Sequence, residues 1–319
     1  MQSLGKIIIL GGTGFIGSQL SAKLSPLCDK ICVLTRNIEA NKDLKLIPNL
    51  EIIHANVLDE RSLNAVFSGS DIVINTIGIL NESGKDNTFN NLHYELTKKI
   101  SNAIKLNKVK RYLYISSLNA DPRATSQYLI TKGLAETYIR DNTNNFCNTT
   151  IFRPSIVFGE DDSFFNKFST ILRFLPVFPL ACPNSKFMPI YVNELTDFMV
   201  STISDNTMYG QKIDVTGPNE YTFRQLIDIT LKALKIRRLI IPLNYTLSKL
   251  QAVIFQRLPG KLFTLDNFLS LQTDSCSTEG FKGKIAVEDI VPGYLNFSLK
   301  QKHFENLRKK SGRGEWKFI

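Results

Sequence analysis

Two groups of residues in this 319-residue chain have the types and spacing to do chemistry. The first is Gly11-Gly12-Thr13-Gly14-Phe15-Ile16-Gly17, with glycines three apart at 11, 14 and 17. Glycine permits a tight turn and a close approach of backbone to a pyrophosphate, and a helix opening there offers free N–H groups and partial positive charge. Gly11, Thr13, Gly14, Phe15, Ile16 and Gly17 are therefore candidate dinucleotide-binding residues. The second group is Tyr128 and Lys132, four apart and so on one face of a helix, with Ser117 upstream. A phenol near pKa 10 is a poor acid or base at neutral pH, but an adjacent ammonium lowers it. Tyr128 is the candidate acid/base, Lys132 tunes it and bonds a nicotinamide ribose, and Ser117 orients a substrate oxygen. A Tyr and a Lys at this spacing are common on surfaces; the specific signal is the set of three, one strand-to-helix step apart.

These residues need a scaffold that brings strand ends together. Lys6–Leu10 is a short, all-apolar run of the kind found in a central parallel strand, and the glycine turn follows it directly. Further strands are expected at 30–35, 50–54, 71–75, 111–116 and 149–153, with helices at 15–24, 60–67, 92–106 and 128–141. This alternation predicts an α/β fold, a Rossmann-type doubly wound parallel sheet whose ligand site lies at the carboxyl ends of the strands. Residues 1–153 form the NAD(P)-binding domain in this reading. Residues 154–319 form a smaller α/β lobe, some segments of which return to the sheet.

The second strand ends at Thr35-Arg36, where a site selecting NAD usually places an acid for the ribose 2′-hydroxyl. Arg36 could hold a 2′-phosphate, which favours NADP(H) over NAD(H); the plainer alternative is an exposed surface cation.

Formal charge is +10, from 39 Lys and Arg against 29 Asp and Glu. From Lys232 onward there are 16 against 7, so a net of +9 sits in the C-terminal part and only +1 upstream. Such a region suits an anionic partner, a membrane surface or an acidic protein; no nucleic-acid motif accompanies it. Within 239–263, Ile, Leu and Phe interleave with Lys249, Arg257 and Lys261, the composition of a broken amphipathic element. Five cysteines without a CxxC pair read as buried thiols in a reducing compartment, and no metal site is expected. No leader and no spanning run are visible, so the expected location is cytoplasmic and peripheral on the inner face of the membrane.

With GGTGFIG, Tyr128/Lys132 and R153-P-S-I-V-F-G159 on the page, the chain resembles the short-chain dehydrogenase/reductase superfamily in its atypical and extended branches. That resemblance implies that Pro154, Ile156 and Val157 line the nicotinamide, that Ile77 and Gly78 pass beside adenosine and ribose, and that Asn56 and Val57 flank the adenine. ISSLNADP, SQYLITKGLAE and IFRPSIVFGEDDSFFNKF are similar to the NAD(P)H-binding accessory subunits of respiratory complex I and their bacterial relatives, over nearly the whole chain. Departures from the wider pattern are Asn56 in place of Asp, Asn119 in place of Gly and His93 near a usual Asn.

Two functions are compatible with these residues. One is an accessory protein that holds NADP(H) and docks on a respiratory-chain complex or in quinone metabolism, with a redox-sensing scaffold as a variant. The alternative is a free-standing oxidoreductase, epimerase or dehydratase. Its substrate loops would be 80–89, 160–168 and 176–189, where Phe164, Phe165, Phe174 and Phe178 favour a hydrophobic compound over a nucleotide-sugar.

Overall fold

A computed structural model of the chain describes residues 3–258 and 261–296. The basic stretch from Lys300 to Ile319 lies outside the described residues.

The first half alternates strand and helix. In order come β1 (Lys6–Leu10), α1 (Phe15–Leu24), β2 (Lys30–Thr35), β3 (Leu50–His54), α2 (Glu60–Phe67), β4 (Ile72–Asn75), α3 (Leu96–Asn107), β5 (Arg111–Ile115), α4 (Gln127–Asp141) and β6 (Asn148–Pro154). Then follow β7 (Val157–Phe158), α5 (Ser163–Phe174), β8 (Val177–Leu180), β9 (Lys186–Phe187), β10 (Ile190–Tyr191), α6 (Val192–Ser201), β11 (Gln211–Thr216), β12 (Tyr221–Thr222), α7 (Phe223–Leu234), β13 (Leu239–Pro242), α8 (Tyr245–Phe255), α9 (Leu265–Ser270), β14 (Phe281–Lys282) and α10 (Val287–Leu295).

Eight strands form one parallel sheet in the order β14-β11-β6-β5-β4-β1-β2-β3. This is the doubly wound α/β fold, with its switch point between β1 and β4. β1 reads as an unbroken apolar run because both its faces are covered: Ile8 and Leu10 enter the core under α2 and α3, while Ile7 and Ile9 enter the core under α1 and α6. β11 and β14 extend the sheet beyond β6, so it does not stop at Arg153. The region 176–189, expected above as a loop, contains β8 and β9. A π-helical turn, Asn90–Glu95, precedes α3.

The smaller lobe packs α5, α7 and α10 around its own apolar cluster, flanked by the parallel pair β8/β13 and the antiparallel pair β9/β12. Phe165 and Phe178 lie in that cluster, Phe164 packs against it, and Phe174 is exposed. Of the two explanations for these rings, a hydrophobic substrate or core packing, packing accounts for all but Phe174. Three of them are core: α5 turns Phe164 and Phe165 inward, and Phe178 enters the same cluster from β8.

Candidate functional site

The ends of β1, β2, β3, β4, β5 and β6 fall on one edge of the sheet, since all the strands are parallel. At the end of β1, Gly11 has φ +77°, and a Cβ there would lie 2.6 Å from the Thr76 Oγ1. A Cβ on Gly17 would lie 2.3 Å from the Gly11 carbonyl oxygen, so the helix can start this close to the strand only without a side chain. The turn closes with Gly14 N–H donating to Gly11 O at 2.9 Å, and helical bonding begins with Ser18 N–H to Gly14 O. Phe15, Ile16 and Gly17 N–H have no backbone acceptor among the described residues, and the first turn of α1 holds no acid. Three free donors, the positive helix end and space held open by glycine fit a pyrophosphate. Thr13 is half-buried beside them, and the Phe15 ring would lie 3.2 Å from a Cβ on Gly159.

Arg36 is exposed at the carboxyl end of β2, and no hydrogen bond or ion pair joins it to another described residue. Asn56 and Val57 follow β3. The Asn56 side-chain oxygen accepts from Leu58 N–H at 3.0 Å, which shapes the turn into α2. Ile77 and Gly78 follow β4, where the Asn75 Oδ1 accepts from Ile77 N–H at 3.0 Å and Gly78 is exposed. Pro154 ends β6 and accepts from Leu118 N–H, while Ile156 and Val157 are half-buried just beyond.

α4 brings the second group to the same edge. Ser126 caps it, and Gly133 lets it pass close to Asp121 and Pro122, where a Cβ would lie 2.4 Å from backbone. Lys132 is buried and donates to Ile115 O at 2.9 Å and to Ile77 O at 3.5 Å, tying the ends of β5 and β4 together. Its ammonium also sits 5.0 Å from the Tyr114 ring centroid, and 3.4 Å from where a Cβ of Gly78 would be. Burial lowers Lys132 from its ordinary 10.5 to about 7, against the pull of Glu136. The Tyr128 phenol is raised above its ordinary value by burial and by Asp266, while a hydrogen bond with the Ser117 hydroxyl works the other way. Ser117, Tyr128 and Lys132 thus meet at the end of β5.

Four further residues complete the arrangement. His93 is buried against Tyr128, with ring centroids 5.5 Å apart. Its Nε2 accepts from Ile79 N–H at 3.3 Å, so the proton lies on Nδ1, which donates to Thr131 Oγ1 at 3.0 Å. Burial, with Lys132 nearby, pushes His93 down to about 2, so it is neutral. Glu136, one turn beyond Lys132, accepts from Ser116 at 2.5 Å and pairs with Arg153 at 3.3 Å. Asp266 reaches in from α9 and accepts Gln127 N–H at 2.6 Å and Tyr128 N–H at 3.2 Å, placing its charge at the positive end of α4. Glu136 could be read from its i,i+4 spacing to Lys132. Asp266 lies 138 residues from Tyr128, and no local pattern announces it. Asn119 has φ +64°, in the left-handed region that Asn tolerates better than most residues.

Residues 11–165 match the family described as NAD(P)H-binding. The chain is 26% identical over 305 residues to the NADH dehydrogenase (ubiquinone) 1 alpha subcomplex subunit 9 of Arabidopsis thaliana, covering 90% of this chain and 74% of that protein. The Mus musculus protein of the same name is 27% identical, covering 89% and 72%. Among solved structures, a Thermotoga maritima UDP-glucose 4-epimerase superposes with a TM-score of 0.70 at 14% identity, covering 94% of this chain and 100% of that one. That likeness is one of fold.

Proposed function

We infer that this chain, an NAD(P)H-binding protein of short-chain dehydrogenase/reductase fold homologous to the alpha subcomplex subunit 9 of mitochondrial NADH dehydrogenase (ubiquinone), is an accessory component that retains NADP(H) for a respiratory or quinone-linked assembly. The observation that carries the accessory role is the reach of the homology. It runs across about nine-tenths of the chain and so takes in the C-terminal lobe as well as the dinucleotide domain. Support for NADP(H) over NAD(H) comes from Arg36, an exposed cation at the end of β2 without a partner among the described residues, at the position where a site for NAD usually places an acid for the ribose 2′-hydroxyl. Gly11, Thr13, Gly14, Phe15, Ile16 and Gly17 would hold the pyrophosphate. Asn56 and Val57 would flank the adenine, Ile77 and Gly78 the ribose, and Lys132, Pro154, Ile156 and Val157 the nicotinamide half. Among the described residues no helix is long and apolar enough to cross a membrane, so the membrane link in this reading is peripheral.

A second reading, an oxidoreductase or epimerase, is favoured by the meeting of Ser117, Tyr128 and Lys132 at one strand end. The bound nicotinamide would supply hydride chemistry. Tyr128 would move the proton at its phenol oxygen, Ser117 would orient the substrate oxygen, and neutral His93 would hold Thr131 and the Tyr128 turn in place. The test is to purify the protein, identify the nucleotide it retains, and follow NADPH oxidation with quinones and with sugar nucleotides for wild type and Tyr128→Phe. Retained NADP(H) without turnover on any acceptor is the expected result. Turnover that Tyr128→Phe abolishes would select the enzyme instead.

A further inference from the structure

α8 is built inside out. Its core-facing side is made of small residues: Ser248 and Ala252 are buried, and the Ser248 Oγ accepts from Cys182 N–H at 3.2 Å. The large apolar residues lie elsewhere, with Leu247, Leu250, Ile254 and Leu258 exposed at 47%, 53%, 50% and 46%. Their spacings of three, four and four put them in one stripe along the helix and the turn that follows it. Such a stripe normally faces the core; here it faces out.

The stripe continues onto the neighbouring strands. Gln251, at its border, donates to Pro179 O on β8 at 3.0 Å, and Leu243 N–H bonds Leu180 O at 2.9 Å. In the β8/β13 pair, Phe178, Leu180 and Ile240 point into the lobe core, while Val177, Leu239 and Ile241 are exposed on the other face. Phe174 and Leu175, at the end of α5, extend the same exposed surface. Arg238 holds that corner by donating to Leu172 O and Arg173 O at 2.7 and 3.0 Å. Single exposed leucines are ordinary, but a continuous helix-and-strand face of this size marks an interaction surface.

Its charge says what kind of surface. Ile229 through Leu265 contains seven Lys and Arg and no Asp or Glu. Lys249 and Arg257 are exposed on α8 and just after it, and Lys235 and Arg237 are exposed just before β13. Aliphatic side chains carried by a stretch with cations and no acid between Asp228 and Asp266 complement a layer whose interior is hydrocarbon and whose headgroups are negative.

We propose that α8 and the outer face of β8/β13 form a docking face for an anionic lipid bilayer. This deepens the peripheral membrane reading above and rests on it. Leu247, Leu250, Ile254 and Leu258 seat at the level of the acyl boundary, with Leu239, Ile241 and Phe174 beside them, and Lys249 and Arg257 remain among the phosphates. At 261–267, Lys261 Nζ donates to Glu82 O, Asn267 Nδ2 donates to Leu80 O, and Asp266 caps the Tyr128 helix.

The test is co-sedimentation of the full chain with vesicles of phosphatidylcholine alone or with about one-third phosphatidylglycerol, at low and high salt. The expected result is binding to the anionic vesicles that weakens with salt. Leu250→Glu with Ile254→Glu should reduce that binding at least about tenfold, and Lys249→Glu with Arg257→Glu roughly tenfold. All four positions are exposed, so nucleotide retention and thermal unfolding should match wild type and certify the fold. Anionic-vesicle binding that survives both double variants would overturn this face while leaving peripheral association standing. Binding to neither vesicle would overturn both, and would point to a protein partner for the apolar stripe.

Discussion

The carboxyl edge of the sheet and the outer face of the C-terminal lobe solve opposite problems. At the edge, polar groups are kept where a ligand can use them: three N–H donors stand free above Gly14, and a buried lysine is held between two carbonyls. On the lobe face, apolar side chains are kept where a core cannot use them. Each half-exposed leucine of α8 forgoes roughly 1 kcal/mol of burial that an inward-facing stripe would have gained. A ligand site is thus recognised by donors left unpaired at close quarters, and a docking face by apolar groups left unburied over a wide area.

If that contrast is right, the edge should be intolerant of change and the face tolerant. Gly17→Ala should have the largest effect, because its methyl meets the Gly11 carbonyl; a loss of about 2–4 kcal/mol in urea unfolding is expected, together with loss of nucleotide binding. Lys132→Met should act through pH. The unfolded lysine holds its proton up to about 10.5 and the folded one releases it near 7. The unfolded state therefore binds more protons across that window, and nucleotide-free stability should rise with pH by up to about 1.4 kcal/mol per unit. Urea midpoints measured from pH 7 to 9 should show that rise for wild type and its absence in Lys132→Met. Asp266→Ala removes the cap that joins the lobe to α4 and should cost about 1 kcal/mol, read in the same way. Leu250→Gln should be smallest, within about 0.5 kcal/mol of wild type in the absence of membranes. A large loss there would mean that the stripe is packed and the contrast is false.

The two regions also differ in how far sequence discloses them. The glycine turn and the Tyr128/Lys132 pair are legible because their chemistry depends on short, fixed spacings within one strand–turn–helix unit. The alternation of β1 through β6 is legible for the same reason: the signal is local and periodic. Asp266 and His93 reach Tyr128 only through the tertiary fold, and nothing near them in sequence says so. β11 takes its place beside β6, and the two-residue β14 its place beside β11, through crossovers, so a boundary drawn where the rhythm changes at Arg153 cuts through one sheet. For α8 the difficulty is one of direction. Leucines at helical spacing reveal a stripe, but Ser248 and Ala252 decide which way it faces, and only packing shows that the small residues are the ones inside.

The most direct test of the central claim is a titration of nucleotide-free protein with NADPH and with NADH, for wild type and for Arg36→Asp. Wild type should bind NADPH more tightly, and Arg36→Asp should reduce or reverse that preference by about tenfold or more, since a carboxylate repels the 2′-phosphate and accepts from the 2′-hydroxyl. An unchanged preference for NADPH in the variant, or equal affinity for both nucleotides in wild type, would contradict the assignment of NADP(H) to this site.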